Sequence, residues 1–121
     1  MARFVVVDDS QPFRSMLARI LRQAGHQVIG EAGDGREGLA LVHRLKPDAV
    51  TLDIIMPSKN GDDVARELLD GGFPVKVFMV SSMSQRAVYE PLMQAGAHFI
   101  SKPYMPDKVV KIVTRGLNGK P

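Results

Sequence analysis

The sequence contains no cysteine. Neither a disulfide framework nor thiolate chemistry is available, and a reducing compartment such as the cytoplasm is the expected setting. Long hydrophobic runs are also missing. The apolar residues between Arg3 and Asp8 are far too few for a secretory signal or a membrane span, so no membrane insertion is expected. No basic run exists either. The sixteen Lys and Arg are interleaved with thirteen Asp and Glu, for a net charge of +3, which argues against direct DNA binding. Lys108, Lys111 and Arg115, at helical spacing, make only a modest positive stripe, read as a solvated or protein-docking face. His26, His43 and His98 lack metal-ligand spacing and are read as surface or helix-packing residues.

What is present is a chain of 121 residues, 45% hydrophobic, enough to bury one core in a single domain. Short apolar runs alternate with helical-period segments throughout. This pattern predicts an α/β fold: five βα units forming a doubly wound parallel sheet with helices on both faces, a three-layer sandwich. Arg3 to Val7 reads as a buried first strand. Phe13, Met16, Leu17, Ile20 and Leu21 recur on the helix that follows, with Pro12 in its first turn and Gly25 as its stop. Strand two is placed at Gln27 to Glu31, with Asp34 capping a helix to about Leu45. Strand three is placed at Asp48 to Leu52, strand four at Val75 to Val80, strand five near Phe99 to Ser101, and the last helix from about Asp107 to Leu117. The domain spans 1–121, and residues 117–121 read as a frayed tail or the start of a linker.

In such sheets ligands bind at the carboxyl ends of the strands. Asp8 and Asp9 follow strand one, Asp53 follows strand three, Ser81 follows strand four and Lys102 follows strand five. Taken singly, these have ordinary readings: Asp8 and Asp9 as helix caps, Asp53 as a loop acid, Lys102 as a surface partner. Together they gather three carboxylates at one edge, where each pair would repel by a few kcal/mol at roughly 4 to 6 Å and an effective dielectric near 20. One lysine leaves a deficit that a divalent cation would fill. With oxygen donors alone, Mg²⁺ or Mn²⁺ suits the site better than zinc, and points to phosphoryl chemistry.

Val5-Val6-Val7-Asp8-Asp9-Ser10, Thr51-Leu52-Asp53-Ile54-Ile55-Met56-Pro57 with Gly61 following, Met79-Val80-Ser81-Ser82, and Phe99-Ile100-Ser101-Lys102-Pro103 together resemble the response regulator receiver family. The resemblance covers essentially the whole chain. It implies the flavodoxin-like strand order 2-1-3-4-5. It also implies that Asp53 accepts a phosphoryl group from a phosphohistidine on a sensor histidine kinase, while Asp9, Asp53 and the Ile55 backbone carbonyl hold Mg²⁺ and Asp8 acts through metal-bound water. Ser81 and Lys102 would each meet a phosphoryl oxygen. Phe99 would follow Ser81 inward as a packing switch, altering the face made by the last two helices and strand five.

The chain departs from the family pattern at several points. Phe99 lacks the hydroxyl of the tyrosine often found there, Pro91 falls inside the expected fourth helix, and the connection into strand five is one residue short. The expected output is binding of a downstream target protein by a stand-alone regulator of the CheY-like chemotaxis type, as a monomer or a phosphorylation-dependent dimer. Such a chain is not an enzyme, although it takes part in its own phosphoryl transfer and autodephosphorylation. A phosphorelay intermediate and a receiver cut from a longer regulator remain as alternatives. A Mg²⁺-dependent phosphatase fits less well, because its nucleophile would close strand one and a cap would cover the site. Ile55 and Met83, both apolar, are expected to screen the acyl phosphate from water. Ile55→Asn combined with Met83→Glu should therefore shorten the adduct's lifetime, measured as loss of radiolabelled phosphate; an unchanged lifetime would contradict the screening role.

Overall fold

Valines and their β-branched neighbours favour extended backbone, and uninterrupted apolar runs suit strands covered on both faces. In the computed structural model, which describes residues 1–56 and 58–119 apart from the side chain of Met83, such runs form five strands. These are β1 (Arg3–Val7), β2 (Gln27–Ala32), β3 (Ala49–Asp53), β4 (Lys76–Ser81) and β5 (His98–Ser101). They pair in parallel in the order β2-β1-β3-β4-β5, the doubly wound topology expected from the sequence. Five helices connect and follow them: α1 (Gln11–Gln23), α2 (Gly35–Leu45), α3 (Gly61–Asp70), α4 (Arg86–Gln94) and α5 (Pro106–Leu117).

Alternation along each strand divides the core in two. Phe4, Val6, Phe78, Val80 and Ile100 pack with Leu17 and Leu21 of α1 and Val109 and Val113 of α5. On the opposite face, Val5, Val7, Val50, Leu52, Val77 and Met79 meet Val42, Val64, Leu68 and Leu92 of α2, α3 and α4. A three-layer sandwich results.

Strand limits move by a residue where polar groups intervene. Asp48 precedes β3 because its carboxylate accepts the Arg3 N–H at 2.7 Å, while the Arg3 guanidinium donates to the Leu45 and Lys46 carbonyls at the end of α2. That cation on the orphan carbonyls suits the negative end of a helix. Asp34 caps α2 as expected, accepting the Glu37 N–H at 2.9 Å. A 3-10 turn over Met83–Gln85 delays α4 to Arg86, and Pro91 lies inside that helix. Leu117 still belongs to α5 and packs against the core, while Lys120 and Pro121 of the expected tail, like Pro57, lie outside the described residues.

All three histidines pack on aromatic rings: His26 on Phe4, His43 on Phe73 and His98 on Phe78. Gly116 of α5 makes the last arrangement possible, since a Cβ there would lie 2.6 Å from Phe78 Cε1 and 3.0 Å from His98 Cδ2. Burial, and secondarily the charge of Lys76, hold His98 below the usual histidine range. The unfolded chain therefore takes up this proton first. The contribution of His98 is complete above the unfolded value, about 6.5, and is lost as pH falls through the folded value. His98→Gln, whatever its own Tm, is expected to show a shallower fall in Tm between about pH 7 and pH 5 than the wild type. Thermal unfolding across that range checks this, and parallel curves would refute it.

Candidate functional site

Asp8 follows β1 and is buried, whereas Asp9 beside it is exposed. Neither caps α1. That role belongs to Ser10, whose side chain accepts the Phe13 N–H. Asp8 is fixed from several directions: its N–H donates to the Ala32 carbonyl at 3.0 Å, its Oδ1 accepts the Ser10 N–H at 2.8 Å, and its carbonyl accepts Arg14 Nη1 at 2.7 Å. Arg14 Nε also lies 3.3 Å from Glu31 Oε1. Arg14 was not singled out from the sequence. The available signal was the first of three arginines in the helix that follows the paired acids, one turn in.

Asp53 closes β3 with 7% of its surface exposed. Its Oδ1 accepts the Ile55 N–H at 3.4 Å. Gly61, at the start of α3, lies directly on the Asp53 backbone. A Cβ at Gly61 would sit 1.8 Å from the Asp53 carbonyl oxygen, so only glycine allows this approach. The Gly61 N–H donates to the Ile54 carbonyl at 2.9 Å, holding the loop closed. Ile55 is 58% exposed.

Lys102 brings the acids together. Its Nζ lies 3.0 Å from Asp8 Oδ2 and donates to Asp53 Oδ2 at 3.2 Å, with only 17% of the side chain exposed. The Lys102 N–H donates to the Ser81 carbonyl at 2.9 Å, so the end of β4 also positions this lysine. Ser81 is itself buried, next in sequence to Val80, the register partner of Asp53. Tyr104 lies nearby with a buried hydroxyl that has no hydrogen-bond partner among the described residues. Burial, then the charges of Asp8 and Asp53, push that phenol upward.

Phe99 lies one strand away. In β5 it faces Met79, and its ring stacks on Tyr89 of α4 with centroids 3.8 Å apart and planes 11° from parallel. Phe99 is half-buried and Tyr89 buried. The short connection before β5 leaves the strand paired in register from His98 to Ser101.

Asp8, Asp9 and Asp53 each offer an oxygen, and these oxygens lie within 4.8 Å of one another. Among the described residues, Asp8 Oδ2 is near the Lys102 ammonium but accepts no aligned hydrogen bond, so that contact is an ion pair and leaves lone pairs free. Burial first, and then the Asp8 carboxylate, raise Asp53 to about 6, while Lys102 opposes the rise. A single ammonium is therefore insufficient for this cluster. A hard divalent cation bound by oxygens fits the residues present.

Residues 4–114 match the response regulator receiver domain family. The chemotaxis protein CheY of Thermotoga maritima is 40% identical over 114 residues, which cover 93% of this chain and 95% of that protein. The signal receiver domain of the response regulator NarL from Mycobacterium tuberculosis superposes with a TM-score of 0.89 at 33% identity, covering 98% of both chains. CheY from Borrelia burgdorferi, solved in a complex with CheX, BeF₃ and Mg²⁺, superposes with a TM-score of 0.84 at 30% identity, covering 93% of this chain and 86% of that one.

Because the folded pKa of Asp53 is raised, the native state holds this proton more tightly than the unfolded chain. The associated stability is present below the unfolded value of 3.8 and is lost as pH rises through about 6. Asp53→Asn in metal-free buffer is thus expected to have a higher Tm than the wild type at about pH 8, with the advantage shrinking below pH 6. A variant no more stable than the wild type at the higher pH would contradict the buried-charge account.

Proposed function

The chain belongs to the response regulator receiver family, and on that premise we propose that Asp53 is the phosphoacceptor of a two-component system. An Asp53 carboxylate oxygen attacks the phosphorus of a phosphohistidine on a sensor histidine kinase. The P–N bond breaks, an acyl phosphate forms on Asp53, and the kinase imidazole leaves. The observation that carries this reading is the Lys102 ammonium held against both Asp8 and Asp53 at the carboxyl edge of the sheet.

Burial and the Asp8 carboxylate raise Asp53 to about 6 in the metal-free site, and a cation bound beside it would favour the carboxylate that attacks. Asp9, Asp53 and the Ile55 backbone carbonyl would hold Mg²⁺ or Mn²⁺, with Asp8 reaching it through an intervening water, and the ion would supply positive charge against the transferring group. Lys102 takes one phosphoryl oxygen from a position fixed before the reaction, and the Ser81 hydroxyl takes another. Phosphorylation adds charge and acceptor oxygens at Asp53. Ser81 moves toward them, Phe99 leaves its stack on Tyr89 to fill the space, and the α4-β5-α5 face changes.

The output is protein binding by a cytoplasmic regulator of the chemotaxis type, acting on no separate substrate and remaining a monomer or dimerising on phosphorylation. Similarity to chemotaxis CheY proteins along nearly the full chain supports this over a relay role. The Borrelia CheY solved with CheX supports a protein partner. Incubation with Mg²⁺ and acetyl phosphate should add one phosphoryl group to the wild type and none to Asp53→Asn, as read by intact mass. An unmodified wild type would overturn the assignment.

A further inference from the structure

The Lys102 ammonium has two of its sides against carboxylates, Asp8 at 3.0 Å and Asp53 at 3.2 Å. Another side is covered by a ring. Phe13 places its centroid 4.3 Å from Lys102 Nζ. The cap of α1 sets that position, since Phe13 is the residue whose N–H the Ser10 side chain accepts. Behind Phe13, the buried Tyr104 ring meets it edge to face, with centroids 5.8 Å apart and planes at 87°. The ring is thus held by its helix cap and by an aromatic buttress.

We propose that Phe13 is a positioning residue for Lys102, its ring face holding the ammonium dehydrated and aimed at the carboxylates. An aliphatic side chain could exclude the same water. Only an aromatic face also attracts the cation, through its quadrupole. A lysine stem has four rotatable carbons and a strongly hydrated head. If water occupied the Phe13 side, the head could swing toward solvent and leave Asp8 and Asp53 uncompensated. The contact matters most when negative charge builds up on the phosphoryl group, because the ammonium must then be in place without reorganising. This role rests on the phosphoacceptor reading above.

Two measurements on the full chain test it. In the wild type, the Lys102 ε protons should resonate upfield through the ring current of Phe13, the signal being assigned by its loss in Lys102→Arg. The upfield shift should vanish in Phe13→Leu and persist in Phe13→Tyr. With acetyl phosphate and saturating Mg²⁺, Phe13→Leu should be phosphorylated about three- to tenfold more slowly, and Phe13→Tyr within about twofold of the wild type. If Phe13→Leu does not fold, Phe13→Met makes the same comparison with a flexible apolar side chain. Unshifted ε protons in the wild type, a normal rate in the folded aliphatic variant, or a Tyr variant as slow as the aliphatic one would each overturn the role. A wild type that takes no phosphoryl group overturns the phosphoacceptor reading together with it. A normal wild type beside an unaffected aliphatic variant overturns the Phe13 role alone.

Discussion

Repulsion between carboxylates at the carboxyl edge of the sheet is the constraint from which most other features of this molecule follow. Asp8 and Asp53 are both buried, and buried like charges are tolerated only where cations and donors converge on them. Each neighbouring element contributes to that requirement. The segment leaving β5 delivers Lys102, the N-cap of α1 delivers the Ser10 N–H and its first turn the Phe13 ring, and Gly61 lets α3 begin against the Asp53 backbone. The fold is thereby organised around a pocket that costs stability in its resting form and becomes favourable when further positive charge enters.

Much of this was legible in the sequence because it is encoded locally. Apolar runs ending in Asp8, Asp53 and Ser81 fix strands and their polar ends together, and the rule for doubly wound sheets then places those ends at one edge. The Asp34 cap is equally local, since a short acceptor before an amphipathic run has few other uses. Strand limits were less legible. Asp48 reads as part of β3 until its carboxylate is seen bonded to the Arg3 backbone, a contact between segments 45 residues apart.

The parts that could not be read depend on side-chain direction across elements. Phe13 appears in the sequence as one more apolar residue of the α1 core face, and nothing in helical spacing indicates that its ring meets a lysine from β5. Arg14 reaching Glu31 of β2 and Tyr89 lying under Phe99 are of the same kind. Each pairs residues from different βα units, so its geometry exists only once the sheet has twisted and the helices have packed. A local pattern can also point the wrong way. Two acids before a helix suggest caps, yet Ser10 takes the cap and leaves Asp8 and Asp9 free for the pocket.

The Tyr89–Phe99 stack has a consequence for signal fidelity. One ring belongs to a helix and the other to a strand, so their contact works as a clutch between two layers of the sandwich. On the proposed route, Phe99 cannot turn inward without forfeiting a near-parallel ring contact, and α4 cannot keep its present surface once that contact is gone. The strength of this one pair would then set how often the unmodified protein drifts into its signalling shape, and with it the background against which a kinase must be heard.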